Sequence, residues 1–235
     1  MLNIATRALA CFIAGAAAYD LAHTPPLGYN SWDHLQGRVS AQLLMEQAQA
    51  MVDTGLFAAG YVFVNSDDGW DTLNRSAAGD LVADPAKFPQ GWPAVTSFIH
   101  RLGMKAGLYT SKSELTCGGL AASCKHEVRD AALFASWHID YVKEDSCGSC
   151  RNNDTLDYVV MNDAIVATGR PMIQTDEGAP DNANCSATMR CGNAKARRPR
   201  PSRPLAPDGQ PHRHRLGPVA LRAQLEWQRR LVERS

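Results

Sequence analysis

The chain has 235 residues, 45% hydrophobic and 20% charged, with 24 Lys and Arg balanced by 24 Asp and Glu. That composition excludes a disordered polypeptide, and the length suits one domain around one core. The zero net charge hides an asymmetry: residues 1–194 hold 13 Lys and Arg against 21 Asp and Glu, whereas residues 195–235 hold 11 against 3.

At the N-terminus, Arg7, the apolar run Ala8 to Ala18 and the small residues Ala16-Ala17-Ala18 form an export signal over residues 1–18. The run is too short for a membrane anchor. The alternative, a buried first helix, has neither a cap nor a polar face. The expectation is a secreted, extracellular protein that keeps no membrane contact after the signal is removed. Cleavage would take Cys11 and leave Cys117, Cys124, Cys147, Cys150, Cys185 and Cys191. An even number in an exported chain suggests disulfides whose pairing the sequence leaves open. A zinc or redox site at Cys147-Gly148-Ser149-Cys150 is the competing reading, and the second Cys-x-x-Cys of a zinc ribbon is absent.

From Tyr29 to about Thr175, short apolar runs alternate with longer amphipathic stretches. Ser40 is positioned to cap a helix over Ala41 to Thr54, with Gly55 ending it. Gly60 to Val64 then reads as a buried strand. Trp92 to His100 is helical and stops before Gly103, and Met104 to Tyr109 is a strand. Ile139 to Val142 is another strand, Leu156 to Val166 a helix ending before Gly169, and Met172 to Thr175 a further strand. Continuous apolar strands suit a parallel sheet covered on both faces, and the repeat of roughly 30 to 40 residues is that of a (β/α)8 TIM barrel. A doubly wound open sheet shares the local pattern, but no glycine fingerprint follows the first strand.

In such a barrel, polar residues at the C-terminal strand ends form the active face. Asn30 and Trp32 follow the first strand, Asp67-Asp68-Gly69-Trp70 the second, and Tyr109 closes the third. Lys143-Glu144-Asp145 ends the fourth and Asp176-Glu177 the fifth. Taken singly, each could be a turn cap, a solvated ion pair or a core aromatic. Together they suit a sugar, whose ring stacks on aromatics while its hydroxyls donate to carboxylates.

Four segments carry a resemblance: Thr24-Pro25-Pro26-Leu27-Gly28-Tyr29-Asn30-Ser31-Trp32, Asp67-Asp68-Gly69-Trp70, Ala83-Asp84-Pro85-Ala86-Lys87-Phe88-Pro89 and Tyr141-Val142-Lys143-Glu144-Asp145-Ser146-Cys147. In order and spacing, from Thr24 to about Asn193, the chain resembles glycoside hydrolase family 27, which holds α-galactosidases and α-N-acetylgalactosaminidases. The resemblance implies that Asp145 is a catalytic nucleophile and that Lys143 contacts the sugar and helps keep Asp145 ionised. It also implies that Asp67 and Asp68 bind the hydroxyls at carbons 4 and 6 of galactose, and that Trp32 and Tyr109 line the pocket. Cys117 matches a pocket position that pairs with Cys147 in a disulfide. Glu177 matches the residue of members that accept a free 2-hydroxyl, although Gly178-Ala179-Pro180 departs from the Trp-Pro or Trp-Gly that follows there. Such two-carboxylate chemistry needs no metal or cofactor, and the partner is an α-galactoside.

The pattern breaks after Ala194. The acid/base aspartate expected shortly beyond Cys191-Gly192-Asn193 is replaced by Lys195-Ala196-Arg197-Arg198-Pro199-Arg200, and residues 195–235 hold 6 of the 13 prolines. A message encoding Ala223 to Ser235 can, read one nucleotide later, give a segment ending Trp-Asn-Asp-Pro, a family signature from later in the barrel. The expectation is a shifted reading frame near Ala194. Residues 19–194 then form a partial barrel of about five βα units, and residues 195–235 an aberrant, disordered tail. The leading function is retaining release of terminal α-linked galactose. The alternatives are a non-catalytic galactose-binding fragment, a β-L-arabinopyranosidase or an α-N-acetylgalactosaminidase. A nucleic-acid arm in the Arg-rich tail is disfavoured, because an exported chain rarely meets nucleic acid.

Overall fold

A computed structural model describes residues 25–176. The expected export signal over residues 1–18, Glu177, Cys185, Cys191 and residues 195–235 lie outside the described residues.

Five strands alternate with helices in chain order. Strand β1 (Gly28–Asn30) leads into a short helix α1 (Trp32–Leu35) and helix α2 (Ala41–Asp53). Then come β2 (Phe63–Asn65), α3 (Gly91–Arg101), β3 (Lys105–Ser111), α4 (Glu127–Ser136), β4 (Tyr141–Asp145), α5 (Asp154–Ala167) and β5 (Ile173–Asp176). All neighbours pair in parallel, in the order β1-β2-β3-β4-β5. Sequential order excludes the doubly wound alternative, in which the order reverses at a switch point. The described residues form part of a (β/α)8 barrel.

Helix ends follow the expected chemistry. The Ser40 side chain accepts from the Leu43 amide at 3.3 Å, capping α2, and Asn153 does the same for Leu156 at 3.0 Å, capping α5. Gly55, Gly103 and Gly169, which follow α2, α3 and α5, take positive φ. Helix α4 escaped the sequence reading because it has no side-chain cap and the position after it is His138, at φ 60°. Two strand positions need correction. Asn30 is the last residue of β1 rather than a residue beyond it, and β3 continues two residues past Tyr109, to Ser111.

The period of two along each strand divides the sheet. Val64, Ala106, Leu108 and Val142 join Trp92, Val95, Ile99, Phe134 and Met161 in a buried layer between sheet and helices. Phe63, Asn65, Tyr109, Tyr141, Lys143, Asp145 and Thr175 line the opposite face. Register sets these into rows: Asn30, Asn65, Gly107 and Tyr141 are successive partners, and one step further along lie Tyr109, Lys143 and Thr175.

Candidate active site

A cleft of about 610 Å³ opens at the C-terminal end of the strands. Its walls include Trp32, Asp67, Asp68, Tyr109, Cys117, Lys143 and Asp145. The described residues to which the resemblance gives a catalytic or sugar-binding role therefore converge on one cavity, although they span more than 100 positions of the chain, whereas Trp70, Glu144 and Asp176, also named at strand ends, do not line it.

Asp145, the last residue of β4, is half-buried. Its Oδ2 accepts the Tyr109 hydroxyl at 2.9 Å and its Oδ1 the Ser146 amide at 2.6 Å. Each oxygen keeps accepting capacity for a ligand. Tyr109 is buried, and both desolvation and the Asp145 charge raise its pKa, so it stays a donor. Its hydroxyl also lies 3.4 Å from Cys147 Sγ.

Lys143 stands two residues before Asp145 on the same face. Its Nζ meets Asp67 Oδ2 at 2.6 Å, with only 14% and 4% of the two side chains exposed, and lies 5.3 Å from the Tyr109 ring centroid. The Asp67 amide donates to Ser31 Oγ at 2.8 Å, and the Asp68 amide to Asp67 Oδ1 at 2.9 Å. Asp68 Oδ2 accepts the Gly118 amide at 2.6 Å. Burial raises the Asp68 pKa, against the opposing pull of that amide. A Cβ on Gly118 would stand 2.9 Å from Asp68 Oδ2, so only glycine lets the backbone come this close. Lys87 Nζ donates to the carbonyls of Gly37 at 2.9 Å and Gly69 at 2.7 Å, joining the turn after α1 to the loop carrying the paired aspartates.

Two disulfides join the loops after β3 and β4: Cys117–Cys147 and Cys124–Cys150. The zinc or redox reading of Cys147 and Cys150 fails, because each sulfur is bonded to a cysteine elsewhere in the chain. Trp32, 40% exposed, presents an indole at the cleft mouth. Trp70 belongs to the support: it is buried, donates from Nε1 to the Tyr109 carbonyl at 2.8 Å, and packs edge-on to Trp92 and Trp137. Asn65, Tyr141 and Thr175 line the cleft and were missed by the sequence reading. Their signal was available, since Tyr141 precedes Lys143 by two and Asn65 precedes Asp67 by two. Thr175 donates to the Tyr141 hydroxyl at 2.9 Å. Among the described residues no helix is long and apolar enough to cross a membrane.

Residues 24–183 match the Melibiase_2 family, described as alpha galactosidase A. The chain is 41% identical over 175 residues to a probable alpha-galactosidase of Dictyostelium discoideum, covering 73% of this chain and 45% of that one. It is 40% identical over 153 residues to an alpha-galactosidase of Cyamopsis tetragonoloba, covering 65% and 37%. Among solved structures, alpha-galactosidase I of Mortierella vinacea aligns with a TM-score of 0.68 and 38% identity, over 71% of this chain and 44% of that one. The alpha-galactosidase of Saccharomyces cerevisiae solved with raffinose aligns at 0.65 and 34%, over 68% and 36%. The chain thus spans less than half the length of these relatives, and by its match over residues 24–183 and its shared fold it belongs to glycoside hydrolase family 27, the alpha-galactosidase family.

Proposed function

We propose that the cleft receives a terminal α-linked galactosyl unit and that Asp145 attacks its anomeric carbon, giving hydrolysis with retention through a covalent glycosyl-enzyme. The observation that carries this reading is the position of Asp145. It is a half-buried carboxylate on the cleft face of the β4 end, held by Tyr109 and the Ser146 amide, with both oxygens still able to reach a ligand. Asp67 and Asp68 are the acceptors for sugar hydroxyls, and Lys143 a donor that also neutralises Asp67. Trp32 offers its face to the apolar side of the ring. Cys117 contributes its sulfur to the wall, and Glu177, the next residue in the sequence after β5, is assigned to the 2-hydroxyl. The raffinose bound in the Saccharomyces cerevisiae structure supports an α-galactoside as the ligand class.

Retention needs a second carboxylate about 5 to 5.5 Å from the nucleophile to protonate the leaving group. Its place, beyond Asn193, lies outside the described residues, where the composition points to a shifted frame. Sequencing the gene across codon 194 tests that shift, and an intact frame removes it. Export is part of the same reading, and the two disulfides support an oxidising compartment.

The test avoids the acid/base question. 5-Fluoro-α-galactosyl fluoride expels fluoride, which needs no proton from the protein. Peptide mass analysis is expected to find the fluorosugar on Asp145 and to find none in Asp145→Asn. Labelling of another carboxylate overturns the assignment. The non-catalytic reading, favoured by the altered composition after Ala194, expects galactose binding by calorimetry without release of nitrophenol from p-nitrophenyl α-galactoside.

A further inference from the structure

The two disulfides bridge the same pair of loops in different surroundings. Cys124 is 4% exposed, whereas Cys117 is open to solvent and lines the cleft. Cys117 Sγ also lies 3.6 Å from Asp145 Oδ2. In the disulfide that sulfur has no proton, so this is a contact and not a hydrogen bond. Both sulfurs and a carboxylate oxygen of Asp145 lie within 4.8 Å of one another. The Tyr109 hydroxyl bridges Asp145 and Cys147 from the other side.

The geometry points to a latent metal site: with the Cys117–Cys147 disulfide opened by a dithiol, its two thiolates and the Asp145 carboxylate hold a soft divalent cation such as zinc or cadmium. A thiolate of the dithiol attacks the exposed Cys117 sulfur, the disulfide bond breaks, and Cys147 leaves as a thiolate that takes a proton. The second thiol of the reagent then closes the reagent's own disulfide and releases Cys117 as a thiol. The reagent loses two electrons and the protein disulfide gains them. The cation displaces both thiol protons to water and takes one carboxylate oxygen as a third ligand, leaving a fourth position for water.

Distances favour the arrangement. Metal–sulfur bonds of about 2.3 Å and metal–oxygen bonds of about 2.1 Å place tetrahedral ligand atoms roughly 3.5 to 4 Å apart. The sulfur–carboxylate contact already has that spacing. The sulfurs must separate, which a side-chain rotation at exposed Cys117 allows while the Cα atoms stay 5.1 Å apart. The Cys124–Cys150 bridge, buried at its Cys124 end, keeps the two loops tied meanwhile. A cation on Asp145 blocks attack on a sugar. That consequence rests on the proposed role of Asp145, whereas the metal site does not.

The experiment titrates cadmium into the full chain after brief dithiol treatment and removal of the reagent. Alkylation and mass analysis establish which bridge is open. The expected result is one cadmium per chain, seen as thiolate-to-cadmium absorption, with the near-ultraviolet tryptophan signal retained. Cys117→Ser should abolish that absorption. Asp145→Asn should weaken binding at least about tenfold, the smaller end of what even outer groups command at metal sites. Absence of cadmium absorption in chains with that bridge open, unchanged affinity in Asp145→Asn, opening of Cys124–Cys150 first, or unfolding on reduction would each overturn the proposal. Fluorosugar labelling of the oxidised chain reports on the catalytic role separately.

Discussion

Glu144 and Asp145 are neighbours in the chain and chemically almost the same, yet the two faces of β4 give them opposite characters. Asp145 sits in the cleft, half-open to a ligand, with a tyrosine donor on one oxygen and an amide on the other. Glu144 is fully buried on the outer face. Burial pushes its pKa well up, and the charges of Glu127, Asp157 and Asp176 push it further, against a single hydrogen bond from Gln174. Asp157, in the same outer layer, behaves differently. Burial raises its pKa, but the Cys150 amide, the Arg151 guanidinium and amide and Ser149 together outweigh this, leaving it below the usual carboxylate range. Depth and hydrogen-bond donors together separate the two carboxylates: Glu144 is wholly enclosed with one donor, whereas Asp157 is less desolvated and has several.

The largest expected effect separates the two faces directly. Asp145→Asn should abolish fluorosugar labelling and, in a chain with turnover, lower the rate on the order of 10⁴-fold, while Glu144→Gln should leave labelling intact. Equal loss in both would end the distinction.

Next come the cations that serve each face. Lys143→Met strands buried Asp67, and Arg151→Met strands Glu127 and Asp157, which Arg151 meets at 2.7 and 3.1 Å. Each should cost about 3 kcal/mol in urea unfolding, because removing one partner leaves an uncompensated buried charge. Only Lys143→Met should also weaken galactose binding by calorimetry.

The pH dependence sharpens the comparison further. Burial pushes Asp71 up to about 8, with a smaller push from the nearby Asp68 charge. A carboxyl whose pKa rises on folding binds its proton more tightly in the folded state. Its contribution is therefore full below the unfolded value, about 3.9, and is lost as pH rises toward 8. Glu144 works in the same direction. Asp71→Asn and Glu144→Gln mimic the protonated forms, so each should flatten the fall in urea midpoint above pH 4. An unchanged slope in both variants would show that these groups ionise equally well folded and unfolded.

The smallest effect tests the loop that carries Cys117. Gly118→Ala pushes a methyl against Asp68 and disturbs its amide bond, at a cost of about 1 kcal/mol in galactose affinity and little in urea midpoint. Unchanged affinity would show that Asp68 does not need the Gly118 amide.

Much of this was legible from residues. The four predicted strands and three predicted helices are present, because each strand is built around buried apolar residues such as Val64, Leu108, Val142 and Ile173 and each of those helices ends at a glycine free to take positive φ. Helix α4 was missed because His138 occupies that position instead. The cleft aromatics and carboxylates were found where chemistry-bearing residue types sit at strand ends. Tyr141 and Asn65 were missed because they lie one step deeper on the same face, and Thr175, level with Lys143, because side-chain type alone does not announce a ligand site.

Local pattern determined the order of strands and helices and the clustering of polar groups at strand ends, because both follow from period and composition over a few residues. The sequential parallel register, the partners of Lys143 and Asp145, and the fate of Glu144 were decided only by packing. Each depends on which side chains from distant segments meet once the sheet is assembled, and on the water that assembly excludes.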